Sequence, residues 1–104
     1  MPNGNVDTLD RLIKSLCADY GRRDAIIREG LAARRVDNEL RYLNFKIRDA
    51  VTEVVGERMC DSFIYEIGSS IGYASSSVDI LSESVYKNYK FLAKKNIAKS
   101  LYLF

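Results

Sequence analysis

The chain has 104 residues, of which 47% are hydrophobic and 29% charged, with a formal net charge of +2. A chain of this size buries a real core without disulfides or metals, so one domain over residues 1–104 is expected. It contains no histidine, which excludes a histidine triad, a histidine-ligated metal and a histidine proton relay.

The one proline is Pro2, so helices can run unbroken through the interior. No alternating β-branched run is bounded by turn residues, and an all-α fold of about five helices follows. The opening MPNGNVDTLD lacks a basic start and an apolar stretch, and no run approaches a membrane span in length. A cytoplasmic protein with reduced thiols and no membrane partner is expected.

Asp7 reads as an N-cap, with Asp10 three residues later. Leu9, Ile13, Leu16 and Tyr20 then step by four, three and four, and Ile27 and Leu31 resume that stripe after Gly21. Residues 7–35 therefore form one long helix weakened at Gly21, or two helices almost in line. Asp37 or Asn38 starts another, whose stripe is Leu40, Leu43, Ile47, Ala50 and Val54 and which Gly56 stops or bends. Together these make a long helical hairpin over residues 7–56. Tyr42, Phe45, Val51 and Val55 widen its apolar surface, which the C-terminal part or a second copy of the chain must cover. A homodimer is the expectation.

In the first half Arg22–Arg23, Arg28 and Arg34–Arg35 alternate with Asp19, Asp24, Glu29 and Asp37. They read as surface ion pairs along an exposed helix, with a second nucleic-acid patch as the alternative. Cys17 and Cys60 each fall on an apolar stripe and read as core residues.

Residues 57–104 read as a helix-turn-helix-like unit. Its first helix runs over about 57–70, with Met59, Cys60, Phe63, Ile64, Ile67 and Ile71 inward. GYASSSVD follows as a turn, in which Ser76 and Asp79 have the spacing of a capping box for a short helix through Val78 and Leu81. Ser82 caps the last helix, where Val85, Tyr89, Leu92, Ala93, Ile97 and Leu103 cluster on one side of a helical wheel and Lys87, Lys90 and Lys94 on the other. From Ile80 to Phe104 five lysines stand against Glu83, a net +4, and the remaining 11 Lys+Arg and 13 Asp+Glu leave the rest of the chain at −2.

A basic helix after a turn fits a reading helix in the major groove of duplex DNA, with no cofactor. The candidate DNA-binding residues are Ser82, Ser84, Tyr86, Lys87, Lys90 and Lys94. Serine and tyrosine bond phosphates or base edges, and lysine bonds phosphate or guanine. The competing reading is a helical protein-interaction or assembly module whose lysines keep one face in water. The lysines discriminate: clear of acids they favour DNA, and neutralised by the hairpin's Asp or Glu they favour the module.

Little points to catalysis. Two cysteines without histidine make a poor zinc site. GSSIG at residues 68–72 lacks the lysine and the preceding strand of a phosphate loop. Glu53 and Glu57, one helical turn apart, belong to a solvated face. Neither an enzyme nor a small-molecule substrate is expected.

LIKSLCADYGRR (residues 12–23) and SESVYKNYKFLAKKNIAKSLYLF (residues 82–104) resemble parts of the phage-encoded transcriptional regulators of the RinA and ArpU groups of Gram-positive bacteria. The first resembles their opening helix. The second resembles their Ser-capped, Tyr-containing, Lys-rich last helix with its Ile-Ala-x-x-Leu ending. The resemblance implies a C-terminal helix-turn-helix like sigma-factor region four, transcription regulation, and DNA contacts through Ser84, Tyr86, Lys87 and Lys90. The connection GYASSSVD is longer than that family's tight turn.

Overall fold

The computed structural model describes residues 2–35, 37–78 and 80–103, with side chains from residue 7 onward. Five α-helices follow one another: α1 (Pro2–Ala18), α2 (Tyr20–Ala32), α3 (Asn38–Val55), α4 (Glu57–Gly68) and α5 (Glu83–Ser100), with a 3-10 turn at Tyr73–Ser75 before α5. The described residues contain no strand. The fold is all-α, as the periodicity expects.

Local chemistry accounts for several helix ends. Asp37 caps α3, its carboxylate accepting from the Leu40 amide at 3.1 Å. Ser82 caps α5, its hydroxyl accepting from the Val85 amide at 3.4 Å. Gly56 joins α3 to α4 at φ +84° and ψ 164°, a conformation essentially reserved for glycine. The stripe over residues 7–35 resolves into two helices, and they separate at Asp19 rather than at Gly21. Asp7 is not a cap, because α1 has already begun at Pro2, a favoured residue in the first turn.

The core gathers Ile13 and Cys17 from α1, Ile47, Ala50, Val51 and Val55 from α3, Cys60, Phe63, Ile64 and Ile67 from α4, and Tyr86, Ala93, Ile97 and Ala98 from α5. Helix α4 lies against α1 and α3, and α5 finds its most extensive partner in α3. That differs from a compact helix-turn-helix, in which the helix before the turn is the principal support of the reading helix. Here α4 meets α5 through Phe63, whose ring lies 5.3 Å from that of Tyr86 and 6.2 Å from that of Tyr89. Val51 and Val55 are buried within the molecule, so of the four residues read as surplus surface Tyr42 and Phe45 remain outside. None of the helices among the described residues is long and apolar enough to cross a membrane.

Both cysteines are free and buried, as their stripe positions anticipate. Burial pushes the Cys17 thiol up to about 12 and raises that of Cys60, so neither supplies reactive thiolate near neutrality. Native protein should therefore react slowly with a thiol reagent at both sites, and denatured protein fast. Rapid native labelling of either cysteine would contradict its placement.

Candidate nucleic-acid interface

The six candidate residues do not share one face. Ser82 is occupied as the cap of α5. Ser84 and Lys87 are exposed, and Lys87 lies 3.7 Å from Glu83, one helical turn away, in a solvated pair of little energetic weight.

Tyr86 is in the core, 1% exposed, and reaches no groove. Its hydroxyl donates to Glu66 Oε1 at 2.7 Å, with the Ile71 carbonyl at 3.3 Å. Its ring packs between those of Phe63 and Tyr73. Burial, then the bond to the Glu66 carboxylate, pushes its phenol up to about 12.

Lys90 and Lys94 are engaged inside the molecule. Lys90 Nζ donates to the Ile71 carbonyl and sits 5.6 Å from the centre of the Tyr86 ring. Desolvation and the neighbouring charge of Lys94 lower its pKa. Lys94 Nζ lies 3.1 Å from Asp10 on α1, and Lys14 lies 3.3 Å from the same carboxylate. Burial alone would raise the pKa of Asp10, but the two lysines hold it down.

The reason is a rotation of α5 relative to the wheel. Ala93 and Ile97 are buried as expected, but Tyr86 and Ala98 join them, while Val85 and Leu92 are exposed. The buried arc therefore runs beside the lysine stripe instead of opposite it. The solvent side of α5 carries Ser84, Asn88, Phe91, Lys95 and Lys99.

Glu66, which no motif marks in the sequence, organises the region. It is 1% exposed and accepts four hydrogen bonds. Oε1 takes the Ser76 hydroxyl at 2.6 Å and Tyr86, and Oε2 takes the Ser77 amide at 2.9 Å and the Ser77 hydroxyl at 2.8 Å. Burial pushes its pKa up, but these bonds outweigh that and leave it below the ordinary value. The carboxylate pins the 76–77 segment to α4 and α5. Ser76 consequently adopts extended backbone, φ −70° and ψ 144°, and its hydroxyl accepts from the Val78 amide at 2.9 Å. The short helix expected there is not formed among the described residues. Asp79, the other half of the supposed capping box, lies outside them.

The arginine-rich segment is partly as expected. Arg22 pairs with Asp19 at 3.2 Å and Arg28 with Asp24 at 2.9 Å, both on the surface. Arg23 instead turns inward, its Nε 2.7 Å from Asn44 Oδ1. A cleft of about 690 Å³ beside it is lined by Tyr20, Asp24, Arg28, Arg48, Asp61 and Tyr65 among others. Its charged groups pair with one another, Arg28 with Asp24 and Arg48 with Asp61. No group of three or more Cys, Asp or Glu among the described residues could hold a metal ion. No protein-family model, curated protein or solved structure matches the chain.

Proposed function

We propose that this chain is a helical protein-interaction or assembly module and that its last helix does not read DNA. One observation carries the reading: Lys90 and Lys94, the centre of the expected basic stripe, are bound to Ile71 and Asp10 of the same molecule. A lysine already paired gains little by meeting phosphate, because the internal contact must break first. Exposed large apolar side chains support the same reading, with Tyr42, Phe45, Tyr65, Phe91 and Tyr102 each more than half exposed.

Duplex DNA is the second reading, and the solvent side of α5 favours it. Lys95 and Lys99 are exposed there together with Ser84 and Asn88, and Lys87 is exposed at its edge. In this reading the protein is a transcription regulator of a phage or mobile element and makes its phosphate contacts on a face rotated from the expected one.

Fluorescence anisotropy with a labelled duplex at two salt concentrations separates the two readings. The module reading expects no duplex binding at micromolar protein in low salt. Binding that falls as salt rises, and that Lys87→Ala, Lys95→Ala or Lys99→Ala each flattens by about one phosphate contact, overturns it in favour of DNA. Arg58→Ala, an exposed change on α4, is the control.

A further inference from the structure

We infer that the outward face of α3 is a self-association surface, on which a second copy of this chain packs antiparallel about a two-fold axis at Phe45. This rests on the module reading and names its partner.

The apolar part of the argument begins with what the first half leaves uncovered. From Ala18 to Lys46 the buried side chains among the described residues are Arg23 and Asn44, both polar and bonded to each other. The apolar residues of this stretch stay at the surface or half-buried. Ile26 and Leu31 are each 47% exposed, Tyr42 58% and Phe45 63%. The molecule is correspondingly spread out. Its radius of gyration is 14.3 Å and its extents are 44 × 37 × 20 Å, against about 13 Å for the radius of a compact chain of about this length. Exposed aromatic rings on a rigid helix are the residues that anchor interface centres.

Charge selects the occupant and its direction. Arg41, Phe45 and Asp49 recur every four residues, so they form one ridge along α3, and all three are exposed. Among the described residues neither the Arg41 guanidinium nor the Asp49 carboxylate has an ion-pair partner. Arg41 lies four residues before Phe45 and Asp49 four residues after it. An antiparallel copy centred on Phe45 therefore sets each Arg41 against the partner's Asp49, twice by symmetry, with the two Phe45 rings between. A parallel copy sets Arg41 against Arg41 and Asp49 against Asp49, which repel. The ridge is thus complementary to itself in one direction. Tyr42 flanks it, held by Lys46 5.3 Å from its ring centre. Crossing helices diverge within a further turn or two, which keeps Glu53 clear of the partner's acidic Asp37 end.

One pair of helices around two aromatic residues makes a small interface, so the dimer is expected to dissociate at micromolar concentrations. Sedimentation equilibrium of the full chain, from micromolar to hundreds of micromolar, tests it. The wild type should show a reversible monomer–dimer equilibrium, and Phe45→Glu should be monomeric throughout. Arg41→Asp alone and Asp49→Arg alone should each weaken self-association by about tenfold or more, since each creates two like-charge contacts per dimer. An equimolar mixture of these two variants should associate as the wild type does, because each then meets its opposite. A misfolded variant or a merely structural role gives no such recovery.

A wild type that stays monomeric throughout overturns the second copy as occupant, and duplex titration then judges the module reading separately. Dimerisation that ignores all three substitutions, or a mixture that fails to recover, overturns the Phe45-centred interface.

Discussion

Replacing Glu66 by alanine is expected to destabilise the protein by about 3–5 kcal/mol, because four donors aimed at one buried carboxylate lose their acceptor together. For a domain of this size that lowers Tm by on the order of 15 °C or more. The loss should be largest between residues 71 and 86, where the bonds converge, and amide exchange should show the 76–77 segment released first. Tyr86→Phe, which removes one of the four donors and keeps the ring, should cost much less. The pH dependence follows the same carboxylate. Its folded pKa is depressed below the ordinary 4.5, so its contribution is fully present above the unfolded value. That contribution is lost as pH falls below about 4.5 and through the lower folded value. Glu66→Gln keeps the shape and should remove this share of the acid sensitivity. An alanine variant that melts within about 1 kcal/mol of wild type would show that the 71–86 connection does not depend on Glu66.

Gly68→Ala is expected to destabilise although it places the best helix former in a helix. An added Cβ would lie 2.5 Å from the Ala18 amide nitrogen, 2.7 Å from the Ala18 Cα and 2.8 Å from the Cys17 carbonyl carbon. These are backbone atoms and cannot swing aside as a flexible side chain would. The helix-propensity gain is at most about 1 kcal/mol, while forcing two helices apart costs about 1–3 kcal/mol or more, so the clash wins. Because the ends of α1 and α4 must separate, Cys17 should also label faster in the folded variant. Gly21→Ala is the comparison. It meets nothing within 4 Å, lies in α2, and should leave stability unchanged or slightly raised. Equal melting temperatures for Gly68→Ala and wild type would mean that α1 and α4 do not approach this closely in solution.

The helices were legible because their causes are local. The Asp37 and Ser82 caps and the break at Gly56 depend on side-chain bonds and backbone freedom within a few residues, and periodicity of three and four placed Ile13, Cys17, Ile47, Cys60, Phe63 and Ile97 inside. The candidate site was much less legible. Lys87, Lys90 and Lys94 share a stripe on any wheel, but which flank of a helix is buried depends on what packs there. Leu92 and Val85 are apolar like Ile97, yet packing buries Ile97 and leaves the other two exposed. Tyr86, read as a DNA-contacting residue, is instead buried with its hydroxyl on the Glu66 carboxylate, 20 residues away.

Composition and periodicity by themselves determined an all-α chain, the approximate bounds of its five helices, the Asp37 and Ser82 caps and two buried thiols, since these follow from backbone geometry and the separation of apolar from polar side chains. The surface pairs Arg22–Asp19 and Arg28–Asp24 are local, one helical turn apart, but tertiary structure decided the fate of the charges that turn inward. Asp10 is 84 residues from Lys94, Glu66 is 20 from Tyr86, and Arg23 is 21 from Asn44. Whether a carboxylate, a guanidinium or an ammonium faces water or a partner depends on desolvation and on donors and acceptors brought from distant turns, and no short-range pattern records either.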